Sequence, residues 1–233
     1  MARTRSALIM AAALMAGPAI AQSVKPAAPI RQIAVYVTPY YNNDGQGGVQ
    51  VSVDRALDRL LASNAAADVL KVRDMVAAKP TEVAPNTLMV LASRLYDVGQ
   101  RDEAVFWFYV ARYRFLTLVS VLDDGRLAEA NTATRAFVEL VGPAINGYAF
   151  CNLEKQDEAE RRALAWVTAN PYAPVLNTRF KARPGDRQAN LAGALARIGG
   201  IQDQQRAGLA DPEGRAALMK GRAEAQADAR FCW

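Results

Sequence analysis

The apolar residues of this 233-residue chain recur with helical spacing over most of its length, and this periodicity predicts a mostly α-helical fold. Leu88, Leu91 and Leu95 form one apolar stripe. Pro85 stands where a first helical residue is favoured, and Gly99 stands where a helix commonly ends. The pattern therefore predicts a helix that begins near Pro85 and ends before Gly99.

The next segment, from Asp102 to Leu118, is apolar nearly all round, which is typical of a helix buried in the middle of a domain. Gly199-Gly200 and Asn170-Pro171 are expected to interrupt helices later in the chain. The later helices are predicted at residues 127–141, 143–152, 157–168, 186–198 and 212–230.

The N-terminal segment has the layout of a secretory signal peptide. Arg3 and Arg5 precede an apolar run from Ala7 to Met15, and Ala19-Ile20-Ala21 matches a small-x-small cleavage site. That run is shorter than the roughly 20 residues of a membrane span. We therefore expect residues 1–21 to be a signal peptide cleaved after Ala21, a periplasmic or secreted location, and no membrane span in the mature chain.

The segment after the predicted cleavage site differs from the helical remainder. Residues 22–31 contain two prolines and are predicted to be a flexible lead. Residues 33–37 and 49–53 are β-branched or alternating runs on either side of a glycine- and asparagine-rich turn, which predicts a small β-hairpin. Residues 32–233 are expected to form a single, mostly helical domain.

Composition excludes several classes of active site. The chain has no histidine and only two cysteines, so it has no histidine-dependent triad and no four-cysteine zinc site within one chain. The net charge of +5 is spread among interleaved acids and bases, which is unlike a nucleic-acid-binding surface. We expect no catalytic residue, no metal, no cofactor and no nucleic-acid partner.

Two other classes of protein stay open. Glu139 lies alone in an apolar helical segment, so a carboxylate-dependent enzyme that acts on cell-wall glycans is one alternative. An immunity or inhibitor protein against a secreted toxin is the other, because such a protein would be small, helical, exported and without catalytic motifs. The sequence does not indicate the oligomeric state.

A short internal repeat leads to a family resemblance. Asp-Glu-Ala occurs at residues 102–104 and again at 157–159, each time before a helical segment. The residues that match the pattern of a tetratricopeptide repeat are Leu91, Ala92, Leu95, Tyr96, Gly99, Asp102, Glu103, Ala104, Phe108 and Ala111. Residues 85–118 thus resemble a tetratricopeptide helical hairpin and residues 140–171 resemble it more weakly, while no known family is recognised over the whole chain.

The resemblance implies a tetratricopeptide-like array of helical hairpins that binds a protein or peptide partner. Members of that family hold partners on the groove face of the first helix of each hairpin. Carried over by position, the partner-binding residues would be Asn86, Met89, Ser93, Tyr96 and Asp97, with Tyr148 and Asn152 from the weaker copy.

The two cysteines are predicted to form a disulfide. Export would place Cys151 and Cys232 in an oxidising compartment, where a pair of thiols is normally bonded. The C-terminal sequence Phe231-Cys232-Trp233 is unusually apolar for a frayed terminus. We therefore expect the tail to be docked on the helical body and bonded to Cys151.

Overall fold

The computed structural model describes residues 27–33, 55–123, 125 and 128–233. This part of the chain contains ten helices and no β-strand, which confirms the prediction of a mostly helical fold. Nearly all of the predicted β-hairpin and the whole predicted signal peptide lie outside the described residues. The helices are α1 (Arg55–Leu61), α2 (Ala66–Ala78), α3 (Pro85–Asp97), α4 (Arg101–Val121), α5 (Ala128–Ala149), α6 (Leu153–Ala169), α7 (Ala173–Leu176), α8 (Arg187–Ala210), α9 (Pro212–Glu224) and α10 (Ala227–Phe231).

Helices α3 and α4 form a tightly packed hairpin whose turn follows from the sequence. Pro85 is the first residue of α3, and Gly99 ends the connection with a φ of 84°, a value that glycine adopts easily. The Gln100 N–H donates to the Leu95 carbonyl (2.8 Å), and the Gly99 N–H donates to the Tyr96 carbonyl (3.0 Å). These two bonds satisfy carbonyls that the end of α3 would otherwise leave unpaired. The predicted stop at Gly99 is confirmed.

Helix α4 lies at the centre of the fold and packs against α3, α5, α6 and α8. Val110 and Ala111 in its middle are completely buried, as expected from its apolar residues all round. Among the helices in the described residues, α4 alone is long and apolar enough to cross a membrane. Because 72% of that stretch is buried inside the protein, a role as core helix accounts for its composition.

Three predicted helix boundaries were wrong. Helix α5 continues through Pro143, and α8 continues through Gly199-Gly200 as far as Ala210. Both helices are held against α4, and this packing outweighs the local preference to break. The segment predicted as one helix over residues 212–230 is instead divided between α9 and α10 by Gln226, which has a φ of 49°.

The C-terminal helix α10 is docked on α5 at a glycine. Phe231 is 6% exposed, and a Cβ atom placed on Gly147 would lie only 2.5 Å from the Phe231 Cδ2 atom. A glycine at residue 147 is therefore what allows the Phe231 ring to reach the backbone of α5.

Replacing Gly147 tests this close approach. We expect Gly147→Ala to lower the free energy of unfolding by about 1–2 kcal/mol, because the overlap with Phe231 outweighs the higher helix propensity of alanine. The matched control is Gly200→Ala in the interior of α8, where no atom lies within 4 Å of the new Cβ. This control should be more stable by about 0.5–1 kcal/mol. Urea unfolding of the two variants measures both effects, and a stabilised Gly147→Ala would contradict the described docking of α10.

Candidate binding cleft

A cleft of about 220 Å³ opens between α4, α5 and α6, and we refer to it as the three-helix cleft. It exists because α5 and α6 pack mainly on α4 and touch each other little. The residues that line it are Asp102, Val105, Tyr148, Ala149, Cys151, Asn152, Lys155, Gln156, Glu158, Ala159 and Arg162.

Asp102 connects the three helices at one side of the cleft. The Tyr148 hydroxyl of α5 donates to Asp102 Oδ1 (2.7 Å), and Lys155 Nζ of α6 donates to Asp102 Oδ2 (3.0 Å). The hydrogen bond from Tyr148 is the main reason why the pKa of Asp102 is lower than its usual value. Burial, followed by the bond to Asp102, raises the pKa of Tyr148 to about 12. At neutral pH, therefore, Asp102 is charged and Tyr148 is a neutral donor.

The start of α6 is positioned by Asn152. Its Oδ1 atom accepts from the Lys155 backbone N–H (3.0 Å), which caps the helix and places Lys155 beside Asp102. Cys151 precedes this cap and is bonded to Cys232, with 5.6 Å between the two Cα atoms. The predicted disulfide is confirmed, and it closes the end of the cleft near the C-terminus.

Further along α6, the rim carries charges of both signs that make no ion pair among the described residues. The Arg162 guanidinium lies over the Phe106 ring, 5.1 Å from its centroid, and no carboxylate of the described part lies within ion-pair distance of it. Glu158, on the same helix, is exposed and likewise makes no ion pair with a described residue. Both groups can pair with charges on a ligand without first breaking an internal ion pair.

The cleft also borders a buried amide. Gln156 is 1% exposed, and its Nε2 atom donates to the Tyr109 hydroxyl (3.1 Å). Its Oε1 atom has no hydrogen-bond partner in the described structure. Buried acceptors are nearly always paired, so this atom is an exception in the wall of the cleft.

Two of the seven residues predicted to contact a partner, Tyr148 and Asn152, line the three-helix cleft. The structure places the other five elsewhere. Met89, Ser93 and Tyr96 are completely buried. The expectation that they form an exposed partner face is therefore contradicted by the structure.

The side chains at the two ends of the predicted face, Asn86 and Asp97, are also buried. Asn86 is 6% exposed and accepts a hydrogen bond from Thr134 of α5, which packs across α3. The Asp97 side chain is 2% exposed and pairs with Arg94 at 3.4 Å. The physical reason for the error is that α5 and the N-terminal lead cover α3.

Nothing in the sequence pattern indicated that Lys155, Gln156 or Arg162 would line a binding site. Asp102 lies in the first turn of α4, where a negative charge is favoured without any partner. Its partner Lys155 is 53 residues away, and only the packing of α6 against α4 brings the two together.

Two carboxylates are relevant to the alternative of a carboxylate-dependent enzyme. Glu139, which the sequence marked as the candidate, is exposed on α5 and outside the cleft. Glu160 is buried, accepts a hydrogen bond from Gln205 (3.2 Å), and has its pKa raised by burial. The cavity beside it measures about 50 Å³, which accommodates water but not a sugar ring. Within the described part, no group of three or more Cys, Asp or Glu residues lies close enough to hold a metal.

The chain is similar to a protein of Haemophilus influenzae that is described as uncharacterized. The two are 34% identical over 206 residues, which cover 88% of this chain and 80% of the other. No family model and no solved structure matches the chain.

Proposed function

We propose that this chain, which belongs to the same family as the Haemophilus influenzae protein, is an exported module that binds a protein or peptide. The partner would insert one or two side chains into the three-helix cleft. The single observation that carries this proposal is the cleft itself, with its apolar floor and its unpaired charges at the rim.

The size of the cleft favours a macromolecular partner over a small molecule. Pockets that enclose a drug-sized ligand measure about 300–1,000 Å³, whereas this cleft measures 220 Å³. A volume of this size suits an anchoring side chain of a larger partner, whose remaining surface would rest on the rim. Val105, Ala149 and Ala159 provide the apolar floor for such an anchor.

The chemistry of the rim indicates which partners would bind. Arg162 makes no ion pair with a described residue and can receive a carboxylate. Lys155 is already paired with Asp102. We therefore propose as the ligand a peptide segment that brings an acidic residue to Arg162, since Glu158 on the same rim disfavours a segment that is acidic throughout.

The resemblance to tetratricopeptide modules is part of the same proposal. The α3–α4 hairpin has the glycine turn and the close helix packing that the resemblance implies, whereas α5 and α6 touch little. We therefore place the binding site in the gap between α5 and α6, the two helices of the weaker copy, and not on the covered face of α3. The disulfide supports export, because such bonds persist in oxidising compartments.

The test uses a random library of short synthetic peptides as the probe and the full mature chain as the target. We expect selection to enrich peptides with an acidic residue. Arg162→Glu should weaken their binding by about tenfold, since it replaces attraction by repulsion at the rim. The matched control is Arg135→Glu, at an exposed arginine of α5 that does not line the cleft.

Fluorescence anisotropy of the selected peptides with the three proteins measures these differences. Selection that enriches no peptide would overturn the proposal. So would peptides that bind Arg162→Glu and Arg135→Glu equally well.

A further inference from the structure

Residues 27–33, which we call the lead from here on, contact α3, α5 and α10. Backbone groups of the lead make four hydrogen bonds to this part of the fold. The Ile30 carbonyl accepts from the Tyr96 hydroxyl (3.0 Å), and the Ile33 N–H donates to Asp97 Oδ1 (2.7 Å). The Ile30 N–H donates to the Arg230 carbonyl (2.8 Å), and the Ala27 N–H donates to Gln226 Oε1 (2.7 Å). Of the segment predicted as a flexible lead, residues 22–31, the structure describes residues 27–31, which include the hydrogen-bonded Ala27 and Ile30.

Two isoleucines of the lead contact an apolar surface between α5 and α10. Ile30 and Ile33 pack against a small cluster, and Ile33 also packs against the main core. The members of this cluster are Ala144, Ala227 and Phe231, with Tyr148 at its edge. Backbone hydrogen bonds combined with a few apolar side chains are the interactions by which extended peptides bind in grooves.

The C-terminal tail forms one wall of this groove. The Trp233 ring lies between Arg31 of the lead and Arg101 of α4. The guanidinium carbon of Arg31 is 4.4 Å from the ring centroid, and that of Arg101 is 3.6 Å from it. Gln226 adopts a left-handed backbone conformation, which is uncommon for a residue with a side chain, and its amide holds the Ala27 N–H. The Cys151–Cys232 disulfide ties this wall to the turn between α5 and α6.

We propose that α3, α5 and α10 form a groove for an extended segment with two isoleucines three residues apart, and that the lead is its built-in, exchangeable occupant. When the lead leaves, the groove accepts a segment of the same chemistry from another molecule. The contacts support exchange because they come from seven residues at the edge of the fold, and both isoleucines stay partly exposed. This inference does not rest on the function proposed for the three-helix cleft.

The test uses a synthetic peptide with the sequence of residues 27–33, labelled with a fluorophore after its last residue so that the Ala27 N–H stays available. In the unmodified protein the tethered lead competes at an effective concentration in the millimolar range. Ile30→Asp places a charge in the apolar cluster and should release the lead. We expect this variant to bind the labelled peptide at least about tenfold more tightly than the unmodified protein does.

The matched control is Gln32→Asp, which introduces the same charge at an exposed residue of the lead and should bind the peptide as weakly as the unmodified protein. Circular dichroism shows whether each variant is folded, and Ile33→Asp serves as a second releasing variant. Equal binding to releasing and control variants, or no binding to any of them, would overturn the proposal.

Amide hydrogen exchange of the unmodified protein gives a second readout that needs no variant. If the lead is exchangeable, the Ile30 and Ile33 amides should exchange well before the core amides of α4. Exchange of those two amides only through global unfolding would make the lead a permanent part of the core and would contradict the proposal.

Discussion

Loss of the Cys151–Cys232 disulfide is expected to lower the free energy of unfolding by about 4–5 kcal/mol and the melting temperature by about 10–15 °C. The two cysteines are 81 residues apart in sequence, so the bond closes a long loop in the unfolded chain and reduces its entropy. The expected stabilisation is large because the entropy that the bond removes from the unfolded chain grows with the length of the closed loop.

Calorimetry with and without dithiothreitol measures this effect. The double variant Cys151→Ser/Cys232→Ser should melt at the temperature of the reduced protein, and its melting should not respond to the reductant. Removal of the last residues from Phe231 onward should have a similar effect, because it releases the same tail. A double variant that melts within about 2 °C of the unmodified protein would contradict the prediction.

The second large effect is expected at Arg114, a completely buried cation in α4. Its guanidinium donates to the carbonyls of Val83 (2.8 Å) and Asn170 (3.0 Å), and also to that of Pro80. It therefore joins the loop before α3 to the loop after α6. Burial lowers the pKa of Arg114 to about 10, so the group is still charged at neutral pH.

Arg114→Met should lower the free energy of unfolding by about 3–5 kcal/mol, because methionine fills much of the space but leaves three carbonyls without their donor. The matched control is Arg112→Met, at an exposed arginine of the same helix, with an expected loss below about 1 kcal/mol. Guanidinium chloride unfolding compares the two. An Arg114→Met variant as stable as the control would show that these hydrogen bonds do not hold the two loops.

Prediction from the sequence succeeded where one or two neighbouring residues decide the structure. Pro85 and Gly99 bound α3 because their backbone preferences are local. The disulfide could be predicted because the chain offers only one pair of cysteines. The boundary at Pro143 was missed because packing of α5 on its neighbours opposes the local preference.

The candidate sites depended on contacts between distant parts of the chain, and sequence periodicity does not report such contacts. Tyr96 was expected to face a partner, yet its hydroxyl donates to Ile30, 66 residues earlier, and its ring is covered. Asp102 and Lys155 meet only because α6 packs on α4. A helical pattern predicts which face of a helix is apolar, but not which other segment covers it.

The most direct test of the proposed function is to map the amide chemical shifts of the ¹⁵N-labelled mature protein during titration with a peptide selected from the library. We expect the largest shifts in the three-helix cleft, at Val105, Asn152 and Ala159, and no change in α2, which contributes no residue to the cleft. Shifts centred on α2, or spread over the surface without a maximum at the cleft, would contradict the assignment of the cleft as the binding site.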